Sequence, residues 1–125
     1  MTKVYTPAEA NRTLPYVKGV VADILEKAQE LRERTAPSEE EAAQEEELEQ
    51  IQQDLLSLME ELEGLGASFK DWNFEVGLVD FPGRIAGEDV LLCWRSDEDS
   101  VRWYHNPGEG FDGRQPIPED LLGRN

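Results

Sequence analysis

The sequence predicts an α+β protein: an N-terminal antiparallel helical hairpin followed by a three- to four-stranded antiparallel β-meander. Three observations carry that expectation. Apolar residues recur at sevenfold spacing in two blocks before Gly66, the signature of amphipathic helices. Beyond Gly66 they form short runs rich in Val, Leu, Trp and Tyr, as strands do. Clusters of Pro, Gly and Asp separate these blocks and supply turns. The 125 residues suffice for one modest core, so a single domain is expected over 1–125. The hairpin takes 1–66, and the sheet with a Gly/Pro-rich tail takes 67–125.

The first helix opens at Thr6-Pro7-Ala8-Glu9. Thr as cap, Pro in the first turn and Glu three residues on make a capping box. Pro15 lacks an N–H and crowds the carbonyl of Asn11, so a short helix to about Arg12 and a restart capped by Thr13 are expected. From there Leu14, Val17, Val21, Ile24, Ala28 and Leu31 form one ridge. It should stop near Arg34, because the residue before Pro37 avoids the helical region. Ser38 and Glu41 form a second capping box, and Leu48, Ile51, Leu55, Leu58, Leu62 and Leu65 form the second ridge. Gly64 and Gly66 supply the stop. Two ridges joined by a short link read as an αα-hairpin. Outside the seam, Val20, Leu25, Leu56 and Met59 are left to meet the sheet or a second subunit.

Three strands are expected at 76–81, 89–95 and 100–105, with a weaker fourth at 67–71. The run Asp89–Arg95 is nearly all apolar and should be central. Pro82-Gly83 through Gly87 and Asp97-Glu98-Asp99 read as turns. Trp94 and Trp103 fall on neighbouring strands, where a stacked pair is expected.

Net charge is −16, and 11 of the 28 acidic residues lie between Glu39 and Glu63, a span without Lys or Arg. Such a balance opposes binding to nucleic acid or to an anionic membrane surface. Arg outnumbers Lys eight to four. An acid-rich, Lys-poor surface suits a high-salt cytoplasm, where screening relieves self-repulsion; a halophilic source and a mesophilic protein with one acidic helix are both open. The lone Cys93 allows no internal disulfide, the start MTKVYTPAEANRTLP has no secretory apolar core, and no run is long enough to span a bilayer. A cytoplasmic location is expected.

Several segments together look familiar: Glu9-Ala10-Asn11 with Leu14-Pro15, Gly77-Leu78-Val79-Asp80-Phe81, Leu92-Cys93-Trp94, Trp103-Tyr104-His105, and Gly110-Phe111-Asp112-Gly113-Arg114. From Tyr5 to about Pro116 the chain resembles the prokaryotic family catalogued as domain of unknown function 2203. The resemblance implies a single-domain bacterial protein and supplies no activity and no catalytic residue. Asn106 stands where it leads one to expect an acid.

No P-loop, dinucleotide turn, nucleophile elbow, HExxH or paired-Cys zinc motif is present. Two constellations remain. Asp80, Cys93 and His105 place one metal-competent group on each expected strand, and Glu109 would complete a four-ligand set for a divalent transition metal. Register decides whether they meet. Pairing Phe81 with Val90 puts Asp80 on the face of Cys93. Pairing Ser96 with Val101 sends His105 to the other face, and a one-residue shift brings it back. Otherwise Cys93 is a small buried hydrophobe, His105 a half-buried strand residue and Asp80 a partner of Arg84. The second constellation is an anion loop in which Gly110 and Gly113 free the backbone N–H groups and Arg114 supplies a fork. Its plain alternative is a surface loop pinned by Phe111, with Arg114 paired to an acid. Two functions follow. One is a non-enzymatic interaction or regulatory protein that uses the hairpin for self-association or partner docking. The other is a small metal- or anion-binding protein, or an enzyme, working from the sheet and the Gly-rich loop.

Overall fold

The computed structural model describes residues 3–34, 41–71 and 75–122, without the side chains of Arg34 and residues 41–44. Helices α1 (Pro7–Arg34) and α2 (Glu41–Gly64) come first. Strands β1 (Ser68–Phe69), β2 (Leu78–Ile85), β3 (Glu88–Arg95), β4 (Trp103–His105) and β5 (Gln115–Pro116) follow, then a single turn, α3 (Glu119–Leu122). The strands form one antiparallel sheet in chain order. This is the predicted α+β arrangement, with five strands among the described residues rather than three or four. The added strand β5 is two residues long and contains a Pro, too short to show any alternation.

The first capping box forms as predicted, with Thr6 N–H on Glu9 Oε1 and Glu9 N–H on Thr6 Oγ1, both at 3.1 Å. The expected break at Pro15 does not occur, and α1 runs through it. Thr13 caps nothing; its hydroxyl donates to the Glu9 carbonyl at 3.0 Å. A helix-interior Pro costs about 3 kcal/mol. Ala10, Leu14 and Val17 are buried on both sides of it, and each such Leu or Val returns about 2 kcal/mol only if the helix stays continuous. The Ser38 capping box lies outside the described residues. The stop at Gly66 is a Schellman motif: Ala67 N–H donates to Leu62 O at 3.0 Å and Gly66 N–H to Glu63 O at 2.9 Å. It needs a left-handed residue, and Gly66 has φ of 86°.

Both ridges enter one core with the inner face of the sheet, which carries Phe69, Val79, Phe81, Ile85, Val90, Leu92 and Trp94. Val20 is buried there, and Leu25 and Met59 pack against it. Of the four residues offered to a partner, only Leu56 stays open, at 60% exposure.

The second departure is at Pro82-Gly83, which lies inside β2 while the chain reverses at Ala86-Gly87. Pro82 sits beyond the end of β1, so its missing N–H faces an edge where no strand pairs and only an isolated parallel bridge joins Tyr5 to Gly83. Its carbonyl, on that same edge, accepts from Tyr5 N–H at 2.7 Å. A Cβ at Gly83 would fall 2.7 Å from Leu92 Cγ and 3.1 Å from the Tyr5 carbonyl; close approach, not a turn, explains that glycine. Trp94 and Trp103 do not stack. Trp103 lies opposite Cys93 and therefore on the outer face, whereas Trp94 points inward.

Candidate metal centre

Two turns bring the outer-face residues together. The β2–β3 hairpin closes through Ala86 and Gly87, both at positive φ (54° and 81°), the conformation of a two-residue hairpin turn. Phe81 then pairs with Leu92 rather than Val90. The shift is two residues, so parity is kept and Asp80 stands directly opposite Cys93. The β3–β4 link is fixed by Glu98: its N–H donates to Arg95 O, its carbonyl accepts from Trp94 Nε1, and its carboxylate accepts from Arg95 N–H at 2.7 Å. Asn11 of α1 grips the far end, accepting from Val101 N–H at 2.7 Å and donating to Val101 O at 3.1 Å. Leu91 therefore pairs with His105 and Cys93 with Trp103. This is the shifted register, and it sets His105 diagonal to Cys93 on one face.

Asp80, Cys93 and His105 are 5%, 1% and 3% exposed. One donor atom from each lies within 4.8 Å of the other two. His105 Nδ1 is 2.9 Å from the Asn106 carbonyl, which can only accept, so Nδ1 carries a proton. Nε2 is then aimed at Asp80 Oδ2, 3.1 Å away. A hydrogen bond there needs one further proton, shared between imidazole and carboxylate. Asp80 is thus no partner of Arg84, which pairs with Asp89 in solvent.

Burial pushes the Cys93 thiol up to about 12, helped by the charge of Asp80 and opposed by Arg114. The thiol rather than the thiolate is present at neutral pH, and thiols react slowly. Alkylation of the metal-free folded protein at pH 8 is expected to be about 10³-fold slower than of the unfolded chain, checked by mass spectrometry after iodoacetamide pulses. The folded thiol holds its proton more tightly than the unfolded one. Its contribution to stability is therefore complete below pH 9 and is lost as pH rises toward 12.

The other predicted site residues do not join this group. Glu109 is exposed and accepts from Asn106 Nδ2 at 2.9 Å. Gly113 N–H is taken by the Gly110 carbonyl at 2.9 Å and Arg114 N–H by the Phe111 carbonyl at 3.2 Å, so these amides close the loop's own turn. Arg114 is paired with Glu98, and its guanidinium carbon lies 4.8 Å from the Trp103 ring centre and 4.5 Å from that of Phe111. Glu98 went unnoticed in the sequence because Asp97-Glu98-Asp99 has the composition of any exposed turn. Nothing local distinguishes the acid that turns back over the sheet.

A family model described as an uncharacterized conserved protein (DUF2203) matches residues 3–117. The chain belongs to that family. No curated protein and no solved structure matches it. The segments that resemble DUF2203 divide by role in this member. Glu9, Ala10 and Asn11 cap α1, fill the core and hold Val101; Asp80, Cys93, His105 and Arg114 make the polar layer on the outer face. No helix among the described residues is long and apolar enough to cross a membrane.

Proposed function

We propose that this DUF2203 protein binds a divalent transition metal through the Asp80 carboxylate, the Cys93 thiolate and His105 Nε2. The observation that carries this reading is the orientation of His105. Its Nδ1–H is spent on a backbone carbonyl and its Nε2 faces Asp80 Oδ2, in a group whose three donors lie within 4.8 Å of one another, as metal-binding histidines are held. Zinc suits the mixed sulfur, nitrogen and oxygen set best. Tetrahedral zinc bonds of about 2.0–2.3 Å space the donors by roughly 3.3–3.8 Å; here His105 Nε2 and Asp80 Oδ2 are 3.1 Å apart and the three donors lie within 4.8 Å of one another. The proton now on the Cys93 thiol is one that an ion displaces. Three protein donors leave the fourth position of a tetrahedral ion to another ligand, which is the arrangement of reactive rather than purely structural zinc, and a bound ion there would supply Lewis-acid chemistry. Asp80 and Cys93 carry the charge that neutralises it, and His105 fixes the direction of approach.

The hairpin-docking reading has less support, because Val20, Leu25 and Met59 are taken up by the protein's own core. Elemental analysis of the purified protein, with zinc competition titrations, decides the metal reading. One ion per chain is expected, with affinity lowered on the order of 100-fold in Cys93→Ala and in His105→Ala. A wild-type protein that neither carries nor takes up zinc overturns it.

A further inference from the structure

Arg114 stands beside this centre on the same sheet face. Trp103, on which it stacks, is the residue paired with Cys93. Its side chain is 8% exposed and that of its partner Glu98 is 20% exposed. Glu98 Oε1 is held by Arg95 N–H, and Oε2 by Arg114 Nη2. A guanidinium has five N–H donors, and this pair engages one nitrogen. The rings of Trp103 and Phe111 cover much of its flat surface, so a partner must come to its edge, in its plane. Meanwhile the metal-competent group has three donors and, among the described residues, no fourth; Glu109, which could have served, is tied to Asn106.

We propose that a small carboxylate completes the donor set and is held by Arg114, with Glu98 as the internal carboxylate it displaces. This rests on the metal reading above and names the ligand class of that site. A planar carboxylate fits the edge of a stacked guanidinium as a fork, whereas a tetrahedral phosphate projects oxygens out of that plane toward the rings. Glu98 already shows that a carboxylate fits against Arg114. Held by its own backbone neighbour at Arg95, it keeps the cation paired when no ligand is present. Arg114 is a binding residue in this scheme, and Glu98 a competitor.

The test is titration of the cobalt(II)-loaded full chain with acetate, followed by the visible cobalt bands. Saturable change is expected. Arg114→Gln should weaken acetate at least tenfold, while Glu98→Gln should tighten it several-fold. A purely structural role for the ion pair predicts weakening in both. If Arg114→Gln fails to fold, the sign of the change in Glu98→Gln decides alone. Acetate without effect on the cobalt bands, unchanged affinity in a folded Arg114→Gln, weaker binding in Glu98→Gln, or inorganic phosphate binding more tightly than acetate each overturns the proposal while leaving the metal reading intact. Failure to take up cobalt at all overturns both.

Discussion

His105→Ala is expected to destabilise the protein by about 3 kcal/mol, measured by urea unfolding at pH 7. The loss comes from what is left behind. Asp80 is 5% exposed, and its Oδ2 faces the imidazole 3.1 Å away. Without that partner the carboxylate must stay charged in a dry site or take up a proton, and either is costly. Replacing Asp80 and His105 together by Leu removes both polar groups and should restore most of the stability, since apolar residues of similar size commonly substitute for buried pairs at little cost. The double variant also separates folding from ligand chemistry. It should be stable and should take up no zinc. Zinc binding retained at wild-type strength in that variant would place the ion elsewhere.

The second large effect is expected at Trp94, the largest of the fully buried side chains at 1% exposure. Trp94→Ala should cost about 4 kcal/mol by the same measurement, because the inner face of β3 loses a ring packed against the helices. Trp94→Phe keeps most of the volume but drops the Nε1–H bond to the Glu98 carbonyl, 2.8 Å long, and should cost about 1 kcal/mol for that bond. Glu98 links this core residue to the outer face, because its carboxylate holds Arg114. Loosening of the Arg114 pair in Trp94→Phe would appear as tighter acetate binding to the cobalt-loaded protein. Equal stability of Trp94→Ala and wild type would mean that the sheet does not rest on α1 as described.

What could be read from the sequence was what repeats or caps. The two ridges, the Thr6–Glu9 box, the Gly66 stop and the central β3 run each have a local physical cause, and each appears. Asp80 and Cys93 could be put on one face because strands alternate, and a two-residue error in pairing leaves parity untouched. His105 could not, because a one-residue error reverses it. What settles it is Asn11 holding Val101 across 90 positions of chain, which no local pattern announces. Pro15 and Pro82 misled for the same reason. Each looks like punctuation, yet one sits in a helix whose flanking residues are buried and the other on an edge where its missing donor is not needed. The stacked Trp94–Trp103 pair fails for the same cause, because the register that brings in His105 sets Trp103 opposite Cys93 and turns it outward.

The strand order repeats the order of the chain, and this bears on how the molecule assembles. Each ladder joins a strand to its successor, so loop-closure entropy stays small and the pairings can zip in turn on the microsecond scale of single hairpins. The distant ties are those made by the first half of α1 and the segment before it: Tyr5 to Pro82, Lys18 to Asp99 and Asn11 to Val101. Docking of that leading segment is therefore the step with the longest search, and substitutions there should slow folding most if the docking belongs to the transition state.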